Sequence, residues 1–297
     1  MSRNRKNPSL VKQVCDIFDK MFDKGFGRSK FKDKKNNDTK DKIYSYETRA
    51  DYINACIRFV KFCKKEYGCR TLKQCRKYVD EYLKSRFHLS ASTIALDKCA
   101  IAKLYQCSST EFIKTPPRKR ADIKRSRLPA KRDKHFSEKN NADYINFCRS
   151  VGGRLSEISV LKGTDLEFIN GQPYIHFTRN TKGGRKRYTP VINHVDLVVS
   201  MMKKAGDGKV FKKIPSNADT HSYRADYAKA FYNMLARPIN QIPYDRVNKG
   251  TGRKYQSEVY VCRGDKKGVK YDRRAMLEVS RALGHNRVSV IASNYLY

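Results

Sequence analysis

The segment from Lys114 to Lys134, KTPPRKRADIKRSRLPAKRDK, constrains the fold of this 297-residue chain more than any other. It holds ten basic residues, two acidic residues and three prolines. The prolines exclude a continuous helix, because proline lacks the backbone N–H and clashes with the preceding turn. The density of like charge excludes a place in a core. We therefore predict two domains joined by a linker at 114–134, each long enough to bury a core of its own.

The first domain is predicted to be a helical bundle over 43–113. Two apolar stripes have helical spacing, and a third row follows a cap predicted at Ser92-Thr93. The stripes are Ile53, Cys56, Ile57, Val60 and Tyr67; Leu72, Cys75, Val79 and Tyr82; and Ala95, Cys99 and Ala102 with Leu104 beside them. Interleaved lysines and arginines predict a cationic exterior. Cys56, Cys63, Cys75, Cys99 and Cys148 occupy apolar positions, so we expect reduced core thiols in a cytoplasm.

Residues 1–42 are rich in Lys, Arg, Asn and Asp. Apolar residues at helical spacing over 11–23 indicate a short helix packed on the rest of the protein. The stretch 27–42 has few apolar residues to pack, and residues 1–42 are expected to form a basic N-terminal arm that is flexible over this stretch. An arm that binds the DNA at the ends of an element is the alternative.

The second domain, 135–297, is predicted to be helical around one small sheet. Helices are expected near 139–150 and through Leu155, Ile158 and Leu161. A hairpin with a turn at Asn170-Gly171 and a third strand at Arg187–Ile192 follow. The remainder reads as mainly helical, apart from 238–271, which carries one strand-like run at Glu258–Arg263. The predicted fold class is thus mainly α with a small antiparallel β-sheet (α+β).

The charge of the chain indicates a polyanionic partner. Lysine and arginine number 65 against 29 acidic residues, a formal net charge of +36. Such a surface repels itself unless a polyanion neutralises it, and DNA or RNA does so with the release of counterions. A membrane partner is not expected, since there is no signal peptide and no apolar stretch of about 18 residues. No carboxylate cluster, metal-ligand spacing or phosphate-binding loop suggests a metal or other cofactor.

A set of scattered residues in the second domain has the chemistry for cutting a phosphodiester without metal. The set comprises Arg154 in GGRLSE, Lys182 in TKGG, His221 and Arg224 in HSYR, His285 after Leu283-Gly284, and Tyr295. Arginine holds phosphate oxygens with a planar, permanently charged fork, and lysine can deliver a proton to a leaving oxygen. His221 and Arg224 are three apart, so on a helix they share one face.

Each residue also has an ordinary structural interpretation. Arg154 could be a surface arginine, and Lys182 could belong to a solvated basic turn with Arg185 and Lys186. Tyr295 could be a packed core aromatic, since it shares a helical face with Val288, Ile291 and Ala292. Tyr297 is the alternative nucleophile.

The order and spacing of these residues resemble the tyrosine recombinase (phage integrase) family over the second domain. The family's Gly-x-Arg-x-x-Glu helix, followed by Leu and Asp, has its counterparts in Arg154, Glu157, Leu161 and Asp165. Two departures are Tyr223 before Arg224, where the family has Leu, and the distance of Tyr295 from His285, one residue above the family's usual nine.

The resemblance implies a helical, SAM-like core-binding domain and a catalytic domain that form a C-shaped clamp on double-stranded DNA. It implies cleavage through a 3′-phosphotyrosine bond to Tyr295, Lys182 as general acid, and His285 as a hydrogen-bond donor to phosphate. Basic residues predicted to contact the DNA are Arg118, Lys119, Arg120, Lys124, Arg125, Arg185 and Lys186.

The expected protein is a bacterial, cytoplasmic, nucleoid-associated integrase of a phage, integrative conjugative element or transposon. It would act as a homotetramer in synapsis and as a monomer or dimer otherwise, with an accessory directionality factor. Three alternatives stay open: a Xer-like resolvase of chromosome or plasmid dimers, a catalytically silent DNA-binding protein of the same fold, and an RNA-binding protein. The last lacks RNP-type and KH-type signatures.

Overall fold

The computed structural model describes residues 8–119, 136–215, 217–242, 257–285 and 287–296. The chain divides into two compact units between Ile123 and Lys124. This division falls inside the basic segment predicted to be a linker. From Arg120 to Lys134 that segment lies outside the described residues, as do the predicted contacts of Arg120, Lys124 and Arg125 with DNA.

The N-terminal unit is helical throughout its described part. Its helices are α1 (Leu10–Gly25), α2 (Lys30–Lys35), α3 (Tyr46–Tyr67), α4 (Leu72–Cys75), α5 (Val79–Ser85) and α6 (Ala91–Leu104). The predicted stripes on α3, α4 and α5 contribute Cys56, Val60, Cys75, Val79 and Tyr82 to one buried core. The predicted cationic exterior is also present. The basic residues there are exposed, namely Arg58, Lys61, Lys64, Lys65, Arg70, Lys73, Arg76 and Lys77.

Residues 10–42 are an integral part of this unit rather than a separate arm. The helix predicted at 11–23 is present as α1, which buries Val14, Phe18 and Met21 in the same core as α3. The polar stretch behind it is also anchored, because Asp33 on α2 accepts hydrogen bonds from Arg28 and Tyr44. Residues 1–7 of the arm expected over 1–42 lie outside the described residues, and the flexibility expected over 27–42 stays a prediction. Few apolar contacts are available to residues 27–42, and ion pairs stabilise this stretch instead.

Helix α6 buries part of the predicted row, since Ala102 and Leu104 are buried and Ala95 is exposed. Its cap is Ser90, whose hydroxyl accepts from the Thr93 amide, and Cys99 is exposed rather than buried. The reason is Asp97, which is fully buried and accepts hydrogen bonds from Arg58 and Arg86. Apolar periodicity alone does not anticipate a carboxylate on the buried face.

The C-terminal unit combines helices with two small sheets. Its elements are α7 (Ala142–Val151), α8 (Leu155–Ile158), β1 (Leu166–Ile169), β2 (Gln172–Phe177), β3 (Arg187–Pro190), α9 (Val195–Ala205), α10 (Thr220–Leu235), β4 (Val259–Val261), β5 (Lys270–Asp272), α11 (Arg273–Ala282) and α12 (Val288–Asn294). The three-stranded sheet has the order β1-β2-β3, antiparallel throughout, with Ile169 opposite Gln172 across the predicted turn. The predicted hairpin and third strand are confirmed.

The region 238–271 holds a second hairpin. Strand β4 lies in the predicted strand-like run, and it pairs with β5, which was not predicted. The predicted α+β fold class is confirmed by this mixture of helices and small antiparallel sheets. None of the helices in the described ranges is both long and apolar enough to cross a membrane.

Candidate active site

Glu157 is a buried carboxylate that bonds two arginines of the site and fixes their positions. Helix α7 ends at Gly152, whose φ of +58° lets the chain turn sharply, and a Cβ there would meet the Tyr227 ring at 2.5 Å. Arg154 is the N-cap residue of the helix α8 that follows. The Glu157 carboxylate accepts from the backbone amide of Arg154 at 2.7 Å and from its Nη1 at 2.8 Å. Arg154 and Glu157 therefore form an ion pair, and the Arg154 side chain is 21% exposed.

Arg187 is a site residue that the sequence reasoning missed. It lies on β3, 6% exposed, and both terminal nitrogens donate to Glu157 at 2.8 Å while Nε donates to the carbonyl of Ala282. Burial raises the pKa of Glu157, but hydrogen bonds and charge from Arg187, then Arg154, outweigh it and lower that pKa to about 2. A signal was available in the alternation along β3, which places Arg187 on the same face as Thr189 and on the opposite face from Tyr188.

Glu157→Gln is expected to lower the free energy of unfolding by about 3–5 kcal/mol. Removing one partner of a buried ion pair leaves the other charge buried and uncompensated. The matched control is Glu167→Gln on β1, whose carboxylate is 43% exposed beside His176 and should change stability by less than about 1 kcal/mol. Urea denaturation of the three proteins measures the difference. Equal stability of Glu157→Gln and Glu167→Gln would contradict the role of Glu157 as the partner of buried arginines.

Arg224 is the most buried cation of the site, at 1% exposure. It lies in the first turns of α10, which Asp219 caps by accepting from the Ser222 amide. Its Nη2 donates to the carbonyl of Leu283 at 2.5 Å, and its Nη1 donates to the carbonyl of Gly152. Arg154 also donates to the Leu283 carbonyl, at 3.3 Å. These acceptors belong to the C-terminal ends of α7 and α11, where the helix dipole favours a positive charge.

The hydroxyl of Tyr295 joins this cluster. It accepts from Arg224 Nε at 3.2 Å, and it lies 3.2 Å from His285 Nε2. The ring of His221, an exposed residue, has its centroid 6.0 Å from that of Tyr295. Tyr295 is 3% exposed and packs in a core with Ile291. The ring of Tyr295 is thus a packed core aromatic and its hydroxyl faces the cations, while its role as nucleophile stays a prediction. Tyr297 lies outside the described residues.

His285 is held neutral by its surroundings. Burial lowers its pKa first, and the charges of Arg224, Arg154, Arg187 and Lys182 lower it further, to about 4 from an ordinary 6.5. Gly284, with a φ of +67°, turns the chain after α11 to place it. A neutral imidazole can donate one hydrogen bond and is a weak base at this pKa. His285 is thus suited to bonding an oxygen.

The pKa of His285 predicts a pH dependence. Below pH 6.5 an unfolded chain protonates this imidazole while the folded chain does not, so its contribution to stability is full above 6.5 and is lost as the pH falls towards 4. In an NMR titration of the free protein, the His285 ring should therefore show a midpoint near 4. A midpoint near 6.5 would contradict the cationic environment described here.

The remaining predicted cations lie at the surface. Lys182, Arg185 and Lys186 are exposed on the turn between β2 and β3. Lys182 is near enough for its charge to lower the pKa of His285. Arg118 and Lys119 are exposed in the N-terminal unit. The structure therefore brings Arg154, Arg224, His285 and Tyr295 into one bonded cluster, with Lys182 within electrostatic range.

The cluster carries an excess of positive charge. Three guanidinium groups, those of Arg154, Arg187 and Arg224, converge on it, and in the described parts of the chain Glu157 is the one carboxylate that they bond. The remaining protein acceptors are neutral carbonyls and the Tyr295 hydroxyl. A buried charge without an equal partner is costly, so this arrangement favours binding an anion.

The comparisons with known proteins give similarity in structure only. No protein-family model matches the sequence, and no curated protein matches it. The Tn1549 transposon integrase in complex with circular intermediate DNA is 12% identical, with a TM-score of 0.46, covering 96% of this chain and 95% of that chain. A tyrosine-to-phenylalanine variant of that integrase with transposon right end DNA is 13% identical, with a TM-score of 0.45 and the same coverage.

XerA recombinase is 14% identical, with a TM-score of 0.31, covering 96% of this chain and 93% of that chain. All three similarities extend over nearly the whole length of the chain. At these identities and TM-scores, the roles of individual residues rest on the geometry of the site.

Proposed function

We propose that this protein is a site-specific DNA recombinase that cuts and rejoins DNA through a covalent 3′-phosphotyrosine bond to Tyr295. One observation carries the proposal: a tyrosine hydroxyl is bonded to Arg224 and His285 inside a cluster with an excess of positive charge. A phosphodiester is the anion that such a cluster would both bind and expose to attack by the phenol. The phosphotyrosine bond conserves the energy of the broken phosphodiester for rejoining.

Arg154 and Arg224 would neutralise the phosphate. An arginine has five N–H donors. Arg224 uses three on the carbonyls of Gly152 and Leu283 and on Tyr295, while the Arg154 guanidinium uses two on Glu157 and Leu283. The donors left over are fixed in place before substrate arrives. Such preorganised donors stabilise the charge that builds on the non-bridging oxygens in the transition state.

Tyr295 Oη would lose its proton to water and attack phosphorus, and the bond from phosphorus to the 5′ oxygen would break. Lys182, on its exposed turn, would protonate the leaving 5′ oxygen. His285 would donate a hydrogen bond to a phosphate oxygen, a role that suits an imidazole with a pKa of about 4 better than proton transfer at neutral pH. His221, on the same helical face as Arg224, would be a further donor.

Double-stranded DNA is the proposed partner. The net charge of +36 and the exposed cations of the N-terminal unit suit a phosphate backbone. Two of the similar solved structures were determined with transposon DNA. More specifically, we propose that this protein is the integrase of a mobile element. The DNA clamp, the synaptic tetramer, the directionality factor and the nucleoid location stay predictions.

A nicked suicide substrate carrying the ends of the element tests the proposal. The nick releases a short fragment after cleavage, so religation is blocked and a protein–DNA adduct that resists denaturation should accumulate. We expect the adduct to form in excess EDTA, since the proposed charge stabilisation comes from side chains. An absolute requirement for Mg²⁺ or Mn²⁺ would point instead to a two-metal nuclease.

A further inference from the structure

The β4–β5 hairpin makes polar contacts with the end of α12 and with Leu296, on either side of Tyr295. Lys266 lies in the 3-10 turn between the two strands, and its Nζ donates to the carbonyls of Ala292, at 3.1 Å, and Leu296. Tyr271 on β5 donates its hydroxyl to the same Leu296 carbonyl at 2.9 Å, and it accepts from Lys266 Nζ at 3.3 Å. We call these four residues the C-terminal tie.

The hairpin is itself anchored to the helices that carry the other site residues. Arg237, just after α10, donates from its backbone amide, Nε and Nη2 to the carboxylate of Asp272, and from Nη1 to Glu258. Asp272 also caps α11 by accepting from the Arg274 amide. Burial raises the pKa of Asp272, but the bonds from Arg237 and the helix amides outweigh it and lower the pKa to about 2. The hairpin thus joins the end of α10, the start of α11 and the end of α12.

Helix α12 depends on such support. It has seven residues, and isolated helices this short are unstable in water. Its last carbonyls lack helical partners, and a lysine at a helix C-terminus both bonds them and interacts favourably with the dipole. The amides of Tyr295 and Leu296 both donate to the Ile291 carbonyl. The backbone of Tyr295 therefore lies between two carbonyls that Lys266 holds.

We propose that Lys266 and Tyr271 are positioning residues for the nucleophile. By fixing the carbonyls of Ala292 and Leu296, they keep the Tyr295 hydroxyl at the bonding distance from Arg224 and His285. This assigns a role to the 238–271 region that the sequence singled out without explanation. The inference rests on the proposed function, because it assumes that Tyr295 attacks phosphorus.

Lys266→Met should slow covalent attachment without weakening DNA binding. Because a small misplacement of a reacting group costs up to about 10²-fold in rate, we expect a fall of about 10- to 100-fold in the single-turnover rate at saturating nicked substrate. Tyr271→Phe removes one hydroxyl and should give a smaller fall, of about 3-fold. The matched control is Lys267→Met, which removes the same charge from an exposed neighbour in the same hairpin. It should cleave at the wild-type rate.

Hydrogen–deuterium exchange supplies a readout that does not depend on cleavage. In Lys266→Met the amides of Tyr295 and Leu296 should exchange faster than in the wild type, while those of α10 should not change. A Lys266→Met rate equal to that of Lys267→Met would overturn the inference. If the wild-type protein forms no adduct, the proposed function is contradicted instead. Unchanged exchange of the Tyr295 and Leu296 amides in Lys266→Met would then contradict the C-terminal tie independently of cleavage. If Lys266→Met does not fold, Tyr271→Phe decides by the same two measurements.

Discussion

Arg224→Ala is expected to lower the rate of covalent attachment to DNA by about 10²- to 10³-fold or more. The substitution removes a buried charge from the phosphate site and the donor that holds the Tyr295 hydroxyl. It also frees the carbonyls of Gly152 and Leu283, which fix the ends of two helices. The measurement is the single-turnover rate on the nicked substrate.

Two further variants control this prediction. Arg224→Lys keeps the charge but cannot reproduce the planar fork, so it should not restore the wild-type rate. Arg149→Ala removes an arginine from α7 that pairs with Asp226 on α10 and is 42% exposed, and it should cleave normally. Cleavage at the wild-type rate in Arg224→Ala would remove this residue from the site.

Tyr295→Phe is expected to abolish the covalent adduct while DNA binding stays nearly unchanged. The ring, which fills the core beside Ile291, is retained, and only the hydroxyl bonded to Arg224 and His285 is lost. Tyr297→Phe is the matched control and should form the adduct normally. An adduct in Tyr295→Phe that disappears in Tyr297→Phe would show that the nucleophile was assigned to the wrong tyrosine.

Much of the site was predictable because its residues occur in short patterns with clear local geometry. Arg154 lies three residues before Glu157 at the start of a helix, and His221 and Arg224 share the first turns of another. These spacings fix which side chains point the same way. The hairpin turn at Asn170-Gly171 was predictable for the same reason, since both residues adopt positive φ there.

The contacts that the sequence did not predict are long-range pairings of buried charge. Arg187 bonds Glu157 thirty residues away, and the buried Asp97 accepts hydrogen bonds from Arg58 and Arg86 in other segments of the chain. Hydrophobic periodicity places charged residues outside, so it misses a buried carboxylate whose partners come from distant segments. The same applies to Lys266, whose acceptors are the carbonyls of Ala292 and Leu296, 26 and 30 residues further along the chain.

The role of Arg187 follows from where its bonds lead. One end of its guanidinium is fixed to Glu157, which orients Arg154, and its Nε is bonded to Ala282 at the end of α11, three residues before His285. Thr189 donates to the same Ala282 carbonyl at 2.8 Å. Strand β3 therefore joins the helix that presents Arg154 to the turn that presents His285. This explains how residues more than a hundred positions apart keep one geometry.

Peptide mapping of the adduct tests the central claim most directly. Wild-type protein is incubated with the nicked substrate in EDTA, the DNA is trimmed with nuclease, and the protein is digested for mass spectrometry. The proposal predicts a peptide in which a nucleotide is bonded through phosphate to Tyr295. A nucleotide on another residue, or no covalent adduct at all on a substrate that the protein binds, would contradict it.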